Sequence, residues 1–424
     1  MNKMDSNPLA AAIAASWALL LGFGFLMLGD GLQGTLLAVR AYREGFPTAV
    51  TGLVMSSFYA GFLGGTLWAP GIVRRVGHIR VFAALAALAS ASILVHAAYV
   101  HPAVWFVLRL LSGFCFSGLY IVAESWLNDS TTNQTRGQLL SVYMVITYLG
   151  VGGGQLFLNF ADPAGYSLFV LTSILISVAV VPLLLTATSA PRFQDSSSVK
   201  LTDLYGISPL GVFGMFAVGL ASAAIFSLGP VYAGLLGLDT AGISYFMLAP
   251  VVATVLLQWP IGRLSDRFDR RLVILAVTLI AAAAAVACVH MAQISSVHAT
   301  IMFGLFGGFS LPMYALCVAH TNDHLRPEQM VAASGGLILA GGIGAIIGPL
   351  GIALVMDVSA HWFFGALAVV HAGIGLFALL RMLLRKATPL AQQGYHAPAT
   401  LLRSRRMAES IQAHLRDEFG NPAP

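Results

Sequence analysis

The sequence predicts an all-α membrane protein with twelve transmembrane helices in two pseudo-symmetric six-helix bundles. Three observations predict it. Apolar residues (AVILMFWYC) make up 58 % of 424 residues and charged residues 9 %, whereas a soluble domain carries roughly 25 % charge. So few charges cannot coat a water-facing surface of this size, and most of the surface must face lipid. The apolar residues fall into twelve stretches of bilayer-crossing length. Weak matches between the first six stretches and the last six recur at nearly one offset.

A spanning helix needs about 20 mostly apolar residues. Segments of that kind lie near 14–38, 48–70, 79–100, 103–127, 136–159, 164–187, 208–233, 241–263, 271–292, 297–321, 330–356 and 360–384. Most connections are short. Residues 188–207 break the pattern midway, being polar and Ser-rich, and residues 385–424 form a polar, basic tail. The expected organisation is an N-terminal six-helix bundle over 1–187, a cytoplasmic linker over 188–207, a C-terminal six-helix bundle over 208–384 and a cytoplasmic basic tail over 385–424. Residues Met1 to Pro8 lack the basic start and cleavage site of a signal peptide, so the first stretch reads as a helix that stays.

Lys and Arg set the orientation. Of 22 basic residues, Arg40 and Arg43 lie in the first loop and Arg109 inside span four. The other nineteen (22 less three) lie on the side of the N-terminus, the even-numbered loops and the tail. Both termini are therefore expected in the cytoplasm, which requires an even number of spans.

The repeat rests on three pairs. PGIVRRVGHIR (70–80) and GRLSDRFDRR (262–271) each follow the second span of their half, about 192 residues apart. YIVAESWLNDSTTNQ from Tyr120 and YALCVAHTNDHLRPE from Tyr314 place Asn-Asp at the end of a fourth span, offset by 194. GVGGGQ (150–155) and GGIGAIIGP (341–349) share the fifth span. A 6+6 duplication of this kind surrounds a substrate site near the bilayer midplane in many transporters.

These residues resemble the major facilitator superfamily. Gly262-Arg263-Leu264-Ser265-Asp266-Arg267-Phe268-Asp269-Arg270-Arg271 resembles its loop signature G-x-L-x-D-R-x-G-R-R, with Asp269 replacing the second Gly. In the first-half copy Arg74 occupies the acidic position, while Arg75 and Gly77 remain. Arg109-Leu110-Leu111-Ser112-Gly113 resembles the span-four signature R-x-x-x-G. Within the superfamily, GDGLQGTLLAVRA (29–41) and GLYIVAESWLND (118–129) look like the YcaD-like bacterial branch. The resemblance implies spans one and four lining a central cavity, and loops that act as a gate through Arg75, Gly77, Gly262, Asp266, Arg267, Arg270 and Arg271.

Ionisable groups inside a bilayer cost several kcal/mol unless paired or hydrated, so each is a functional candidate. Asp30, Arg109 and Glu124 are the clear ones. From the span bounds, Asp30 and Arg109 lie roughly 9–12 Å below the outer surface. Spans one and four both line the cavity in the family, so the resemblance implies an Asp30–Arg109 pair. Such a pair fits a substrate site, a proton-coupling site or a fixed structural contact. Burial favours the neutral carboxyl and a guanidinium favours the carboxylate. Glu124, about a turn from the cytoplasmic end, reads either as a site in the inner cavity or as a partner of Arg74, Arg75 or Arg136. The Arg-rich loops read as an ion-pair network where helices end, as positive-inside anchoring, or as both.

Polar and aromatic residues in the cavity-type spans are further candidates: Gln33, Tyr59, Tyr120, Gln155, Phe226, Tyr232, Gln258, Trp259 and Tyr314. Only the first half contributes intramembrane charge, so the site is expected to be asymmetric. Glycines at 150, 152–154, 341, 342, 344 and 348 permit close helix approach. Drug–proton antiporters of the superfamily carry Gly-Pro in span five; here Gly348-Pro349 sits in span eleven instead. There is no phosphate-cradling Gly-Lys-Ser/Thr loop, which argues against ATP drive. Cys115, Cys288 and Cys317 lie in apolar stretches without metal-ligand spacing, and His290, His298, His320, His324 and His361 sit near span ends. No metal and no cofactor are expected. The tail, with Arg403, Arg405, Arg406 and spaced apolar residues, fits an amphipathic helix on the inner surface or a disordered segment.

The expectation is a secondary active transporter of a small organic solute in the cytoplasmic membrane. It works by alternating access, as a monomer among lipids, with the proton as coupling ion and no nucleic-acid partner. A multidrug or metabolite efflux antiporter and a non-transporting sensor of the same fold are the alternatives. A membrane enzyme would need His or Asp clustered at one depth, which the sequence lacks, so no enzymatic activity is expected.

Overall fold

A computed structural model describes residues 8–129, 136–185 and 200–384. Within the lipid every backbone N–H and C=O must be paired inside its own segment, which leaves helices as the form of these apolar stretches. The first half runs α1 (Pro8–Arg43), α2 (Thr48–Val76), α3 (His78–Ala98), α4 (Pro102–Asp129) and α5 (Arg136–Leu156), the last extended by a 3₁₀ turn over Phe157–Phe160. Its sixth span is split into α6 (Ser167–Val178) and α7 (Val181–Leu184). The short helix α8 (Leu201–Ile207) follows. The second half comprises α9 (Pro209–Leu235), α10 (Thr240–Arg267) and α11 (Arg270–Ala292), then a tenth span broken into α12 (Ser296–Ser310) and α13 (Met313–Asn322), and finally α14 (Pro327–Met356) and α15 (Trp362–Leu384). Twelve segments among the described residues are long and apolar enough to cross a membrane. The N-terminal residues, most of the linker and the basic tail lie outside the described residues. Where the linker resumes, Leu204 of α8 is buried in a small core with Val212, Met215 and Leu337.

Local chemistry sets the helix ends. Asp239, Asp269 and Ser295 accept hydrogen bonds from backbone N–H groups in the first turns of α10, α11 and α12. After α1, Gly45 turns the chain at φ 71°, with Phe46 N–H donating to Ala41 O and Gly45 N–H to Tyr42 O. After α9, Gly237 does the same at φ 76°, with Leu238 N–H donating to Ala233 O and Gly237 N–H to Gly234 O. Both are Schellman caps, which need a left-handed residue and so a glycine. Every member of the second cap is its first-half counterpart plus 192.

The packing repeats too. Gly113 of α4 lies against the Phe58 backbone of α2, and Gly307 of α12 lies against Pro250 of α10. Gly154 of α5 lies against Leu28 of α1, and Gly348 of α14 against Leu220 of α9. The offsets are 194 in the glycine-bearing helices and 192 in their partners, the same values that the sequence pairs showed.

One end of the molecule joins the halves. At the end away from the termini, a single hydrophobic core takes Leu36, Val54 and Trp105 from the first half together with Tyr232, Phe246, Phe303 and Phe363 from the second. Hydrogen bonds cross there as well: Tyr42 OH to Gly234 O at 3.1 Å, Arg43 to Thr240 Oγ1 at 3.0 Å, Ser244 Oγ to Gln155 O at 2.7 Å, Asn159 Nδ2 to Ser244 Oγ at 3.0 Å, and Leu350 N–H to Ser56 Oγ at 3.1 Å. At the terminal end the cores separate. One contains first-half residues alone, such as Phe23, Phe82 and Phe116, and another second-half residues alone, such as Leu210, Ile274 and Met313. The halves are thus sealed at one end and independent at the other.

Candidate functional site

α1 and α4, packed beside α2, carry the intramembrane charges. Arg109 is 4 % exposed, and its guanidinium lies 4.2 Å above the Phe58 ring. Its Nε has no hydrogen-bond partner. Asp30, half-buried on α1, is within electrostatic reach of Arg109. No direct ion pair joins the two among the described residues. The reason is depth. α1 runs on to Arg43, five residues past the expected end of span one, which leaves Asp30 thirteen residues (30 to 43) from the helix end, or about 20 Å along the axis. Arg109 is seven residues into α4, or about 10 Å. Tyr59 is in electrostatic contact with both groups and reaches Ser227 of the second half. Gln33, one turn beyond Asp30, is 1 % exposed, and both polar atoms of its amide lack partners.

A second group gathers nearer the terminal end. Glu124 of α4 accepts a hydrogen bond from Tyr143 of α5 at 3.3 Å. Tyr120, one turn earlier on α4, is within electrostatic reach of both Glu124 and Asp30, and its hydroxyl donates to Met27 Sδ at 2.9 Å. Tyr314 of α13 reaches Glu124 from the other half and also Tyr148 of α5. Glu124 is exposed and Tyr314 is 49 % exposed. Because they face one another across the two halves, that accessible surface belongs to the opening between the halves. Glu124's hydrogen-bond partner is Tyr143 rather than a loop arginine.

The loop residues form a compact network in the second half. Arg270 binds Asp323 at 2.6 Å, Asp266 at 3.3 Å and Ser265 Oγ at 3.0 Å. Arg271 binds Asp269 at 2.8 Å. Asp269, the departure from the loop signature, also caps α11, and its carboxyl lies outside the spans. Burial raises that carboxyl, yet the hydrogen bonds from the Arg271 side chain and backbone outweigh burial and hold it below its ordinary range. Arg267 is exposed and Gly262 has open space where a side chain would start. In the first half Arg75 is exposed, and Gly77, at φ 93°, turns α2 into α3. His78 stands 192 residues before Arg270, binds Ser125 Oγ at 2.9 Å and feels Asp129, the counterpart of Asp323.

Other expected residues fall outside these groups. Trp259 is 68 % exposed near the end of α10, with the Arg263 guanidinium 5.1 Å from its ring centroid. Gln258 is half-buried on the next face of α10. Tyr232 is fully buried among Phe246, Phe363 and Phe364 in the shared core, and Phe226 packs against that core. Gln155 is a structural tie, accepting from Thr35 and donating to Gly31 O at 3.1 Å. Sequence reasoning missed Tyr143, Tyr148 and Ser227, whose types carry no charge signal. It also missed His96, buried in the last turn of α3, and His371, buried in the middle of α15, each with a ring nitrogen on a backbone carbonyl one turn back. The three cysteines are buried, and no group of three or more His, Cys, Asp or Glu gathers among the described residues.

The family model of the Major Facilitator Superfamily matches residues 19–257 and 211–416. An uncharacterized MFS-type transporter, YcaD, from Escherichia fergusonii is 28 % identical over 372 residues, covering 87 % of this chain and 95 % of that protein. The YcaD of an Escherichia coli strain is likewise 28 % identical, over 371 residues, with the same coverage of both chains. Among solved structures, a bacterial homologue of the human lysosomal transporter Spinster, in an inward-facing and occupied conformation, superposes with a TM-score of 0.71 at 15 % identity, over 92 % of this chain and 100 % of that one. The nucleoside transporter NupG gives 0.69 at 15 % identity, over 88 % and 100 %. The Escherichia coli fucose:proton symporter FucP gives 0.56 at 19 % identity, over 87 % and 99 %.

Proposed function

This chain belongs to the Major Facilitator Superfamily, resembling its YcaD-like branch, and on that premise we propose that it is a secondary active transporter of a small organic solute, working by alternating access in the cytoplasmic membrane with both termini inside. One observation carries the reading. The halves share a core at the end away from the termini and have separate cores at the other, while polar groups of both halves face the opening. That is half of an alternating-access cycle, open to the cytoplasm under the orientation argued from Lys and Arg. Rocking the halves about the midplane exposes the same groups to the other side.

The proton is the coupling ion in this proposal, and Asp30 is its carrier. A carboxylate beside a guanidinium with which it makes no direct bond can change charge without breaking an ion pair. Its electrostatic neighbours Tyr59 and Tyr120 connect it towards Ser227 on one side and Glu124 on the other. The direction of net flux follows from the gradients, so import and efflux antiport use one geometry.

The test is flux of labelled solutes in proteoliposomes with and without an imposed pH gradient. Flux is expected to respond to the gradient in the native chain. In Asp30→Asn, exchange at equal solute concentration is expected to persist while the response to the gradient disappears. An unchanged pH response in that variant would remove Asp30 as the carrier. Binding without flux under any gradient would instead favour a non-transporting sensor.

A further inference from the structure

The opening between the halves holds one carboxylate ringed by aromatic side chains, with no positive partner. Glu124 has Tyr143 bonded to it and Tyr120 and Tyr314 within electrostatic reach. No Lys, Arg or His acts on it among the described residues. Behind this group the packing is aromatic: the buried Phe23 packs on Tyr143 with centroids 4.6 Å apart and on Tyr120 at 5.3 Å, and the half-buried Phe62 lies 5.9 Å from Tyr120. Tyr314 closes the ring from the second half.

We propose that Glu124, Tyr120, Tyr143 and Tyr314 form a binding site for an organic monocation with an apolar body. This deepens the transport reading and rests on it for the word substrate, though not for the binding itself. Three arguments select this chemistry. The first is charge. When Asp30 has released its proton, Asp30 and Glu124 set two carboxylates against the single guanidinium of Arg109, which leaves an excess of one negative charge that a monocation balances. The second is the aromatic lining. Tyr314, Tyr120 and Phe62 are the rings that are not fully buried; aromatic faces attract cations, and they offer little to an anion or to a polyol that needs many hydrogen bonds. The third is coordination. A hard metal ion takes about six or more oxygen ligands, and one carboxylate with phenols cannot supply them. A proton alone would need the carboxylate but not rings contributed by both halves. The pseudo-symmetry accounts for Tyr314: it is the counterpart of Tyr120 at an offset of 194, so the two rings approach the ligand from opposite sides.

The test uses the purified full-length chain and two probes of nearly equal size and opposite charge, tetraphenylphosphonium and tetraphenylborate. Equilibrium dialysis, with protein-free detergent as reference, reads saturable binding. Tetraphenylphosphonium is expected to bind saturably and tetraphenylborate not to. Glu124→Gln and Tyr314→Ala are each expected to weaken the cation by about tenfold or more, and Tyr314→Phe, which keeps the ring, to hold it within about threefold. Tyr314 is half exposed, so its variants keep the test available should Glu124→Gln fail to fold. Equal saturable binding of both probes, or unchanged cation affinity in Glu124→Gln, would overturn the site. So would the loss of cation binding in Tyr314→Phe to the same extent as in Tyr314→Ala. Saturable cation binding without flux in proteoliposomes supports the site and counts against transport. Flux of other solutes with no saturable cation binding overturns the site and leaves transport standing.

Discussion

Arg270 concentrates the terminal-end network of the second half into one side chain. Its guanidinium is 12 % exposed and the Asp323 carboxylate that it binds is 6 % exposed. Removing one member of a buried pair costs about 3–5 kcal/mol where the other charge is left alone, and that is an upper bound for Asp323, which has a further contact. Arg270→Ala is therefore expected to lower the apparent melting temperature sharply, and adding Asp323→Asn to recover much of the loss. If the double variant is no more stable than the single one, the stranded charge is not the cause. The clasp of Arg43 on Asp162, at the end away from the termini, is a weaker contact with a defined pH sign. The Ala164 N–H first, and the bonded Arg43 guanidinium second, hold the Asp162 carboxyl below its ordinary value. A depressed carboxyl contributes above its unfolded value and loses that contribution as pH falls through its folded one. The Arg43 contact to Asp162 should thus persist from neutral pH down through the ordinary carboxylate range and fail only in stronger acid. Accessibility of a cysteine at Asp162 cannot report this, so the reporter belongs at Thr240, the other partner of Arg43. Labelling of Thr240→Cys, taken relative to a freely exposed cysteine so that the thiolate fraction cancels, is expected to stay flat between about pH 8 and 5; a rise centred near neutrality would assign the clasp to another group.

The intramembrane charges were legible in the sequence because charge in an apolar stretch is rare, and Asp30, Arg109 and Glu124 all line the interior of the first half. Their partners were not legible. The expected Asp30–Arg109 pair depended on where α1 ends, and the Schellman cap at Gly45 sets that end five residues beyond the apolar stretch. Tyr143 and Tyr314 approach Glu124 only through the fold, since they are nineteen residues (124 to 143) and 190 residues (124 to 314) away along the chain.

At the scale of elements, the duplication is a set of contacts. Gly113 and Gly307 stand at equivalent places, and a Cβ on either would meet the partner helix at Phe58 or Pro250. Neither obstacle is the flexible end of a side chain, so relief requires moving a helix. Gly113→Val and Gly307→Val are each expected to cost about 1–3 kcal/mol by overpacking, read as a lower melting temperature in the same detergent. Gly262→Val has open space and should cost much less. Equal losses at all three would trace the effect to helix propensity rather than to packing. The halves differ where chemistry is needed. The place of Arg109 in the first half is taken, 194 residues on, by Phe303, which stacks on Phe246 at 4.3 Å. One half therefore carries the charge and the other an aromatic core, which gives the expected asymmetry a physical form.

For the whole molecule, twelve helices and their grouping followed from composition and the offset of the repeat. The conformational state did not, because nothing in an apolar stretch says at which end two halves touch. That state is the ground of the central claim: a seal at one end and an opening at the other that exchange during the cycle. Pulsed electron resonance between spin labels measures it most directly. Val76→Cys with Phe268→Cys labels the terminal end at exposed, repeat-equivalent positions, and His101→Cys with Gln293→Cys labels the other end. The native Cys115, Cys288 and Cys317 are buried, which favours labelling at the introduced sites. Each pair is expected to show two distances, long at the terminal end when short at the other, with opposite shifts in their populations between neutral and acidic pH. One fixed distance at both ends in every condition, or both ends widening together, would contradict alternating access in this protein.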